Sequence, residues 1–252
     1  MFDLKGRIAV VSGASSGLGV QMSKGFAGQG ADVVVMARRV EKLEAVAAEI
    51  RKMGVKCLPV QCDVTNTESV NAAAATVEKE FGKVDILVNC AGSNRGTGVL
   101  DTNDDDWQFT VDTDFTSVFK VSRAFGNIMK KNKYGRIINI ASMYGLVGNT
   151  AMDVVSYHAT KGGVVNMTRA MAAELAKYNI TCNAICPGYF ATELTTATLD
   201  TPEFQAYMKQ TVPMQRYGHE GELNAAAIFL ASNEASYVTG VILPVDGGYT
   251  AV

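Results

Sequence analysis

The chain has 252 residues, of which 48% are hydrophobic and 19% are charged, and it carries a formal net charge of −2. This length and apolar content fit one globular domain that buries a sizeable core. Since no run of basic residues points to nucleic acid or to an anionic membrane surface, small molecules are the expected partners.

The N-terminal sequence and the cysteines bear on the compartment. MFDLKGRIAVVSG lacks the basic stretch, apolar core and small-residue cleavage site of a signal peptide. No apolar run approaches the roughly 18 residues that span a bilayer. The five cysteines form neither an even set nor a Cys-x-x-Cys pair, so we interpret them as reduced thiols near the core. We expect a cytoplasmic protein without a membrane partner and, since it has only two histidines, without a metal site.

Short apolar runs alternate with longer stretches of helical period along the whole chain. The first three runs are RIAVVSG, ADVVVMA and CLPVQCDV, and helices are predicted after them at residues 18–29, 40–53 and 67–81. DILVNCAG and GRIINIAS follow, with helices predicted at about 105–131 and at 156–177, and the last two runs are NITCNAICPG and VILPVDGG. The pattern predicts seven strands and about six helices.

Strands this apolar, separated by helices, are expected to be parallel and buried on both faces. The predicted fold is therefore a single α/β domain over residues 1–252, a Rossmann-type doubly wound sheet of seven parallel strands with helices on both faces. Ligands of such sheets bind beyond the carboxyl ends of the strands. Residues 192–218 are too long for a simple connection and show no sustained strand pattern, which predicts a lid over the substrate.

A glycine-rich turn, SGASSGLG, follows the first strand and opens the first helix. Its backbone amides and the positive end of the helix dipole can hold a pyrophosphate. The spacing Gly-x-x-x-Gly-x-Gly differs from the commoner Gly-x-Gly-x-x-Gly, and glycines also serve tight turns and helix packing. The residues predicted to contact the cofactor here are Gly13, Ser15, Ser16, Gly17, Leu18 and Gly19.

The end of the second strand bears on the choice of cofactor. An acid that binds the ribose of NAD is expected there, but the chain has Arg38 and Arg39, which can bind the 2′-phosphate of NADP through charge-assisted hydrogen bonds. NADP(H) is therefore favoured over NAD(H), although both arginines could instead simply begin a solvated helix. Asp63, after the third strand, either caps the next helix or accepts a hydrogen bond from the adenine amino group.

The candidate chemical residues lie further along the chain. Tyr157 and Lys161 are spaced i and i+4, so a helix presents both on one face. A phenol ordinarily ionises only near pH 10, but a neighbouring ammonium group favours the phenolate, which can act as an acid or base. Ser142 directly follows the strand GRIINIA, where its hydroxyl can donate to a substrate oxygen. The Tyr-x-x-x-Lys spacing is common by chance, but its position at the expected cofactor edge predicts an oxidoreductase that interconverts a secondary alcohol and a ketone.

Five stretches in this order make the chain resemble the classical short-chain dehydrogenase/reductase family over essentially its full length. They are SGASSGLG, CDV, NCAG, the set Ser142, Tyr157 and Lys161, and PGYFAT. The resemblance implies that Tyr157 is the general acid/base, that Lys161 stabilises its phenolate and binds the nicotinamide ribose, that Ser142 positions the carbonyl, and that Thr192 holds the carboxamide. It also implies a homotetramer whose contacts involve the long helices and the last strand. The remaining cofactor contacts that it implies are Val64, Asn89, Ala91, Gly92, Pro187 and Gly188.

The chain departs from the family pattern in two places. Asp114 stands where the family has a catalytic asparagine, which helps hold a water in a proton relay to the lysine, partly through its backbone carbonyl. A carboxylate near Lys161 could add charge stabilisation, or could trap the lysine in an ion pair and slow the relay. In addition, 14 residues separate Ser142 from Tyr157, two more than is usual, so residues 143–156 are expected to form a longer loop beside the substrate.

The C-terminal sequence resembles that of sugar-acid and polyol dehydrogenases of the gluconate 5-dehydrogenase kind. 3-Oxoacyl-carrier-protein reductases and hydroxysteroid dehydrogenases share nearly the same scaffold, and a steroid or acyl chain would suit the methionines and aromatic residues better. A sugar acid would require cations, for which Lys209 and Arg216 are the nearest choices. The side chains that either line an apolar cleft or pack the lid are Tyr144, Met152, Val154, Phe190, Phe204, Tyr207, Met208 and Met214.

A hypothesis of another class is a dinucleotide-binding regulator without catalysis. Asp114 and the longer loop favour it, whereas the intact serine, tyrosine and lysine argue against it.

Overall fold

Seven parallel strands form one sheet in the order β3-β2-β1-β4-β5-β6-β7. The computed structural model describes residues 2–150, 152–192 and 195–252. The predicted seven-stranded doubly wound sheet is confirmed. The strands are β1 Ile8–Ser12, β2 Asp32–Ala37, β3 Cys57–Gln61, β4 Ile86–Asn89, β5 Gly135–Ile140, β6 Ile180–Pro187 and β7 Ile242–Val245.

Nine α-helices lie in the described part of the chain. They are α1 Gly17–Gly28, α2 Val40–Arg51, α3 Thr67–Phe81, α4 Asp104–Val111, α5 Ser117–Asn132, α6 Val155–Leu175, α7 Thr196–Leu199, α8 Pro202–Thr211 and α9 Asn224–Ala231. None of the helices in the described ranges is long and apolar enough to cross a membrane.

The core lies on both faces of the sheet because side chains alternate along each strand. Ala9 and Val11 of β1 belong to a buried cluster that includes Phe26 of α1 and also side chains of α2 and α9. Their neighbours Ile8 and Val10 belong to a second cluster that includes Phe125 of α5 and side chains of α3. Both sets of β1 side chains are buried, which explains why the strand sequences are continuously apolar rather than alternating.

Local sequence sets the ends of several helices. Asn66 caps α3, since its side chain accepts a hydrogen bond of 2.8 Å from the Ser69 amide, and the helix ends at Gly82, whose φ is +71°. In α8, Thr201 is the N-cap and Pro202 takes the first helical position, where a missing N–H costs nothing. The described part of residues 192–218 therefore contains two short helices, α7 and α8.

The helix predicted at residues 105–131 is interrupted. Its first part, α4, ends at Val111, a π-helical turn covers Asp112–Thr116, and α5 begins at Ser117. Both flanking stretches have an ordinary helical pattern, so the sequence does not mark the break. The wider turn carries Asp114 into the interior, where a carboxylate oxygen accepts a hydrogen bond of 2.7 Å from the Ser93 amide.

Candidate active site

A cavity of about 920 Å³ lies at the carboxyl ends of the strands. The glycine turn, the ends of β2, β4, β5 and β6, the π-helical turn and α6 all contribute to its walls. This single cavity brings together every predicted site residue except Asn89. Those residues are Gly13, Ser15, Ser16, Gly17, Leu18, Gly19, Arg38, Arg39, Asp63, Val64, Ala91, Gly92, Asp114, Ser142, Tyr157, Lys161, Pro187, Gly188 and Thr192.

The glycine turn is packed too closely for side chains at two of its positions. A Cβ atom on Gly13, whose φ is +72°, would lie 2.7 Å from the backbone nitrogen of Ala91. A Cβ atom on Gly19 would collide with the backbone of Gly13 itself. The turn is also bonded to the loop after β4, because the Ser12 hydroxyl accepts hydrogen bonds from the Cys90 and Ala91 amides. Such a bare, rigid turn at the start of α1 fits the pyrophosphate of a dinucleotide.

Two arginines, Arg38 and Arg39, make the end of the cavity beside the glycine turn cationic. The guanidinium of Arg39 donates to the hydroxyls of Ser15 at 2.9 Å and Ser16 at 3.1 Å, which connects the end of β2 to the glycine turn. Burial opposes ionisation of Asp63, yet hydrogen bonds from Thr65 and the charge of Arg38 hold the pKa of that carboxyl below its usual range. An anionic group in this part of the cavity would meet both guanidinium groups.

Asp63 does not cap the helix that follows it, so that alternative is wrong. The cap of α3 is Asn66, and one carboxylate oxygen of Asp63 instead accepts hydrogen bonds from the amide and hydroxyl of Thr65. This turn keeps the side chain at the cavity wall beside Val64.

Asn89 serves the sheet rather than the cavity. Its side chain is 3% exposed and donates to Ser122 at 2.9 Å and to Asn139 at 2.8 Å. Asn139 in turn donates to Thr168 of α6. This buried polar chain joins β4, β5, α5 and α6 below the cavity, so Asn89 supports the positions of the neighbouring elements.

The three candidate chemical residues converge from two elements. Ser142 follows β5, and its hydroxyl oxygen accepts a hydrogen bond of 3.1 Å from the Tyr144 amide. Tyr157 and Lys161 lie on α6, with the lysine nitrogen 5.4 Å from the centre of the tyrosine ring. The same nitrogen donates to the Ile140 carbonyl at 3.2 Å, which anchors it at the end of β5.

Asp114 lies against Lys161 in the interior. Its carboxylate oxygen Oδ2 is 3.4 Å from the lysine nitrogen, and both side chains are almost completely buried. Burial by itself would lower the pKa of Lys161, but the carboxylate of Asp114 and the neighbouring Tyr157 outweigh burial and raise it. The two carboxylate oxygens therefore have different partners, because Oδ2 faces the lysine and Oδ1 accepts from the Ser93 amide.

The other end of the cavity is lined by aromatic and apolar side chains. Tyr144, Met152, Val154 and Phe190 lie here, as the sequence suggested. Tyr189 and Leu199 lie here as well, and the sequence analysis missed both. The position of Tyr189 directly after Gly188 at the end of β6 was a signal that could have identified it.

The remaining aromatic and methionine candidates pack the lid. Met208 is fully buried, and the Tyr207 hydroxyl bonds to that of Tyr249 at 3.2 Å. Phe204 packs against Tyr189, with ring centres 5.0 Å apart. Met214 lines a second cavity of about 220 Å³. The apolar side chains therefore divide between lining the cleft and packing the segment above it.

The two cations suggested for a sugar acid lie elsewhere. Arg216 forms a bidentate ion pair with Glu222 at 2.7 and 2.8 Å, and it lines the smaller cavity. Lys209 is exposed on α8 and does not line the main cavity.

The longer loop before α6 is held in place by hydrogen bonds of the Asn149 side chain, near the middle of the loop. The Asn149 side-chain amide lies 2.9 Å from Nε2 of His158, and Nδ1 of the same ring lies 3.0 Å from the Val154 carbonyl. The Asn149 side-chain oxygen also accepts a hydrogen bond of 2.8 Å from the Met152 amide. These bonds fix Met152 and Val154 at the cavity wall.

The cysteines carry free thiols, and four of the five are buried. Cys90, at the cavity wall, has a pKa raised to about 12 by burial. Over residues 2–150, 152–192 and 195–252, no three side chains of the metal-ligating types cluster.

Comparison with known proteins places this geometry among oxidoreductases. A family model described as enoyl-(acyl carrier protein) reductase matches residues 13–250. Galactitol 2-dehydrogenase (L-tagatose-forming) of Cereibacter sphaeroides is 42% identical over 251 residues, covering 99% of this chain and 97% of that protein. A 3-oxoacyl-[acyl-carrier-protein] reductase of Synechocystis is 38% identical over 250 residues, covering 98% of each chain. The crystal structure of a gluconate 5-dehydrogenase from Burkholderia cenocepacia in complex with NADP and tartrate superposes with a TM-score of 0.95 at 36% identity, covering 100% of this chain and 98% of that one.

Proposed function

Since this chain belongs to the short-chain dehydrogenase/reductase family and interconverts a secondary alcohol and a ketone with a nicotinamide dinucleotide, we propose that its substrate is a sugar acid or a polyol. The observation that supports the reaction is the meeting of Ser142, Tyr157 and Lys161 in the same cavity as the glycine turn. The names of a galactitol dehydrogenase and a gluconate dehydrogenase among the similar proteins support the substrate class.

In the proposed mechanism, Tyr157 transfers the proton. The bound nicotinamide accepts or supplies the hydride. When the alcohol is oxidised, the Tyr157 phenolate accepts the hydroxyl proton, and in the reverse direction the phenol donates it to the ketone oxygen. The Lys161 ammonium stabilises the phenolate form and would bind the ribose of the nicotinamide half of the cofactor. The Ser142 hydroxyl donates to the substrate oxygen and stabilises the negative charge that develops there.

Asp114 is the fourth catalytic residue in this proposal. Its contact with Lys161 keeps the ammonium charged inside the protein, where burial alone would favour the neutral amine. The retained backbone carbonyl can take the place of the family's asparagine in the water relay. The raised pKa of Lys161 fits both effects weighed for the carboxylate, since the same ion pair stabilises the ammonium charge and holds the lysine in place.

NADP(H) is the proposed cofactor. The cationic end formed by Arg38 and Arg39 adjoins the glycine turn, and the hydroxyls of Ser15 and Ser16 are already bonded to the second guanidinium. This arrangement suits a 2′-phosphate, which a ribose-binding acid at the end of β2 would repel. Pro187, Gly188 and Thr192 would face the nicotinamide side of the same cavity.

Residues 192–218 are the proposed lid. Thr192 lies over the glycine turn, since a Cβ atom on Gly17 would be 3.3 Å from its methyl group. Leu199 of α7 lines the cavity, and a hydrogen bond of 3.0 Å from Tyr217 to Asp200 ties the two flanks of α8 together. A segment held in this way can close over a bound substrate as one body.

The proposed assembly is a homotetramer built on α5, α6 and β7. Phe119 of α5 is 49% exposed. The exposed positions of α6 include the small residues Ala159, Ala170 and Ala173, which permit close approach of another helix. In addition, the four residues of β7 are incompletely buried although their sequence is apolar.

The cytoplasm is the proposed location. Its support is the set of five free thiols, because an oxidising compartment favours disulfide formation.

A panel of ketones tests the proposed function. Purified protein is given NADPH or NADH with a keto sugar acid, a ketose, a 3-oxoacyl thioester and an oxosteroid, and loss of the reduced cofactor is followed by absorbance. We expect turnover of the sugar compounds, faster with NADPH. In the matched variant Tyr157→Phe, turnover is expected to fall by at least about a hundredfold, because the acid/base group is lost.

Other results would exclude the proposal in distinct ways. Turnover confined to the thioester or the steroid would assign the enzyme to one of the alternative substrate classes. Binding of NADPH without turnover of any ketone would favour the non-catalytic regulator.

A further inference from the structure

Two tyrosine hydroxyls form a pair in the cavity beside the chemical residues. The hydroxyl oxygens of Tyr144 and Tyr189 are 2.7 Å apart. The backbone amide of Tyr144 donates to the Ser142 hydroxyl, and its ring meets that of Tyr157 edge-on with 6.4 Å between their centres. Both tyrosines line the cavity. The pair therefore lies within reach of a substrate bound at Ser142 and Tyr157.

The surrounding packing holds the pair in place. The ring of Tyr144 stacks on His158 with centres 4.7 Å apart, and the ring of Tyr189 packs edge-on against Phe204 and Tyr249. The tail that carries Tyr249 is fixed by Asp246, which accepts hydrogen bonds from the amide and hydroxyl of Thr250. Donors held in this way lose little conformational entropy when a ligand binds.

The pair has hydrogen-bonding capacity left over. One O–H proton is used in the bond between the two oxygens, and the Tyr189 hydroxyl also interacts with those of Tyr207 and Tyr249. Each hydroxyl oxygen carries two lone pairs, so the Tyr144 oxygen keeps capacity for another group. Burial raises the pKa of Tyr144 to about 12 and also raises the pKa of Tyr189, which its bond to Tyr144 raises further. Both groups are therefore neutral at ordinary pH, and a substrate hydroxyl can both donate to them and accept from them.

The charged side chains that line the cavity either lie at its cofactor end or are already bonded to other groups. Its lining cations at the cofactor end are Arg38, Arg39 and Lys120, while Lys161 is paired with Asp114. Met152, Val154 and Leu199 line the same cavity as the pair. His158, which stacks on Tyr144, has both ring nitrogens within hydrogen-bond distance of Asn149 and the Val154 carbonyl. Arg216, which lines the smaller cavity that Tyr189 also lines, is paired with Glu222. The guanidinium of Arg95 stacks on Phe109 at 3.7 Å and does not line the cavity. Because Lys161 is paired with Asp114 and Arg216 with Glu222, a carboxylate bound here would compete with the protein's own carboxylates, whereas hydroxyl groups would have partners in the tyrosine pair.

We propose that Tyr144 and Tyr189 bind a hydroxyl group of the substrate near its reacting carbon and so select uncharged polyhydroxy compounds, polyols and ketoses, over sugar acids and acyl chains. This inference rests on the proposed function and narrows its substrate class. A site that offers buried hydroxyls to a substrate hydroxyl discriminates strongly against the analogue without it, because the protein groups are then left without their partner.

The proposal is tested by removing a tyrosine hydroxyl from the protein, a hydroxyl from the substrate, or both, and comparing the effects. kcat/KM is measured for a ketose and its deoxy counterpart, and for acetoin and butanone, with the wild type, Tyr144→Phe and Tyr189→Phe. We expect the wild type to prefer the hydroxylated member of each pair by about tenfold to a hundredfold. Either variant should lose most of this preference, with the change confined to the hydroxylated member. Tyr134→Phe is the matched control, because it removes a hydroxyl that donates to Asn233 away from the cavity, and it should keep the preference.

Several results would contradict this inference. Equal losses on both members of a pair would mean that the hydroxyls only hold the structure, and the inference would be wrong. A higher kcat/KM for sugar acids than for the matching ketoses would also overturn it. If no sugar compound reacts but acetoin and butanone do, the proposed substrate class fails while the comparison can still be completed. No turnover of any ketone by folded, NADPH-binding protein would reject both proposals.

Discussion

Asp114 brings a second charge into the interior beside Lys161, at a position where the family uses a neutral amide. A carboxylate that faces a buried ammonium at 3.4 Å raises the pKa of the lysine despite the opposing effect of burial. The ammonium is therefore retained to higher pH than it would be beside an amide. Its contribution to stability is full below the ordinary lysine pKa and is lost as the pH rises through the raised value.

Exchange of this carboxylate for an amide tests its role. We expect Asp114→Asn to keep kcat within about tenfold of the wild type at neutral pH, since the backbone carbonyl of the relay is unchanged. The pKa of Lys161 should fall in the variant, so the basic limb of the pH profile of kcat/KM should move to lower pH. Rates measured across the alkaline range check both statements.

Asp112→Asn is the control for that experiment, because Asp112 lies in the same π-helical turn but pairs with Gln108 instead of the lysine. Its basic limb should not move. A folded Asp114→Asn protein that loses about a thousandfold in kcat would show that the carboxylate itself is required.

The cofactor prediction also depends on individual residues, namely the two arginines that follow β2. Arg38→Asp places a carboxylate where a 2′-phosphate would bind, and it should shift the ratio of kcat/KM values from NADPH toward NADH by about tenfold or more. Lys52→Asp makes the same reversal of charge at the far end of α2 and should leave the ratio unchanged. NADPH affinity that is unaltered in Arg38→Asp would remove the argument for Arg38.

At the scale of elements, the side chain of Asn149 helps to hold the loop before α6 against the helix. Asn149 bonds both to His158 and to the Met152 amide, and Met152 lines the cavity. Loss of these bonds frees a wall of the substrate site without touching the chemical residues. Binding should therefore suffer more than the chemical step.

Asn149→Ala tests this role of the loop. We expect KM for the ketone to rise by about threefold to tenfold with little change in kcat, since ordering the loop would then oppose substrate binding. Steady-state kinetics check the split. Asn132→Ala, at the exposed end of α5, is the control and should change neither constant. A fall in kcat with unchanged KM would contradict the positioning role.

At the scale of the whole molecule, the outer faces of α5, α6 and β7 are the proposed contacts between subunits. Phe119→Glu puts a charge on the exposed ring position of α5, which should dissociate the assembly because an unpaired charge would be buried. Light scattering should give a tetramer for the wild type and a smaller species for this variant. Met53→Glu, at a similarly exposed apolar side chain after α2, should remain tetrameric. A monomeric wild type would refute the assembly.

The sheet and the position of its ligand edge followed from the sequence alone. Continuous apolar runs separated by helices specify parallel strands that are buried on both faces, and the residues after each run must then gather at one edge. The glycine turn and the Tyr157 and Lys161 pair were identified for the same reason. Each depends on spacing within one turn or one helix, which the sequence fixes directly.

Only the tertiary structure decided the contacts between distant segments. Tyr144 meets Tyr189 because the ends of β5 and β6 are neighbours, and Arg39 reaches Ser15 because β2 lies beside β1. The π-helical turn at Asp112–Thr116 likewise places Asp114 against a distant segment, the loop after β4, whose Ser93 amide donates to it. The sequence pattern shows which residues are neighbours within one turn or one helix. The contacts named here join residues far apart in the chain, so they depend on how whole strands and helices pack. The sequence therefore identified the candidate chemical residues, because their spacing is local. The packing of the strand ends decided which side chains surround the candidate substrate site.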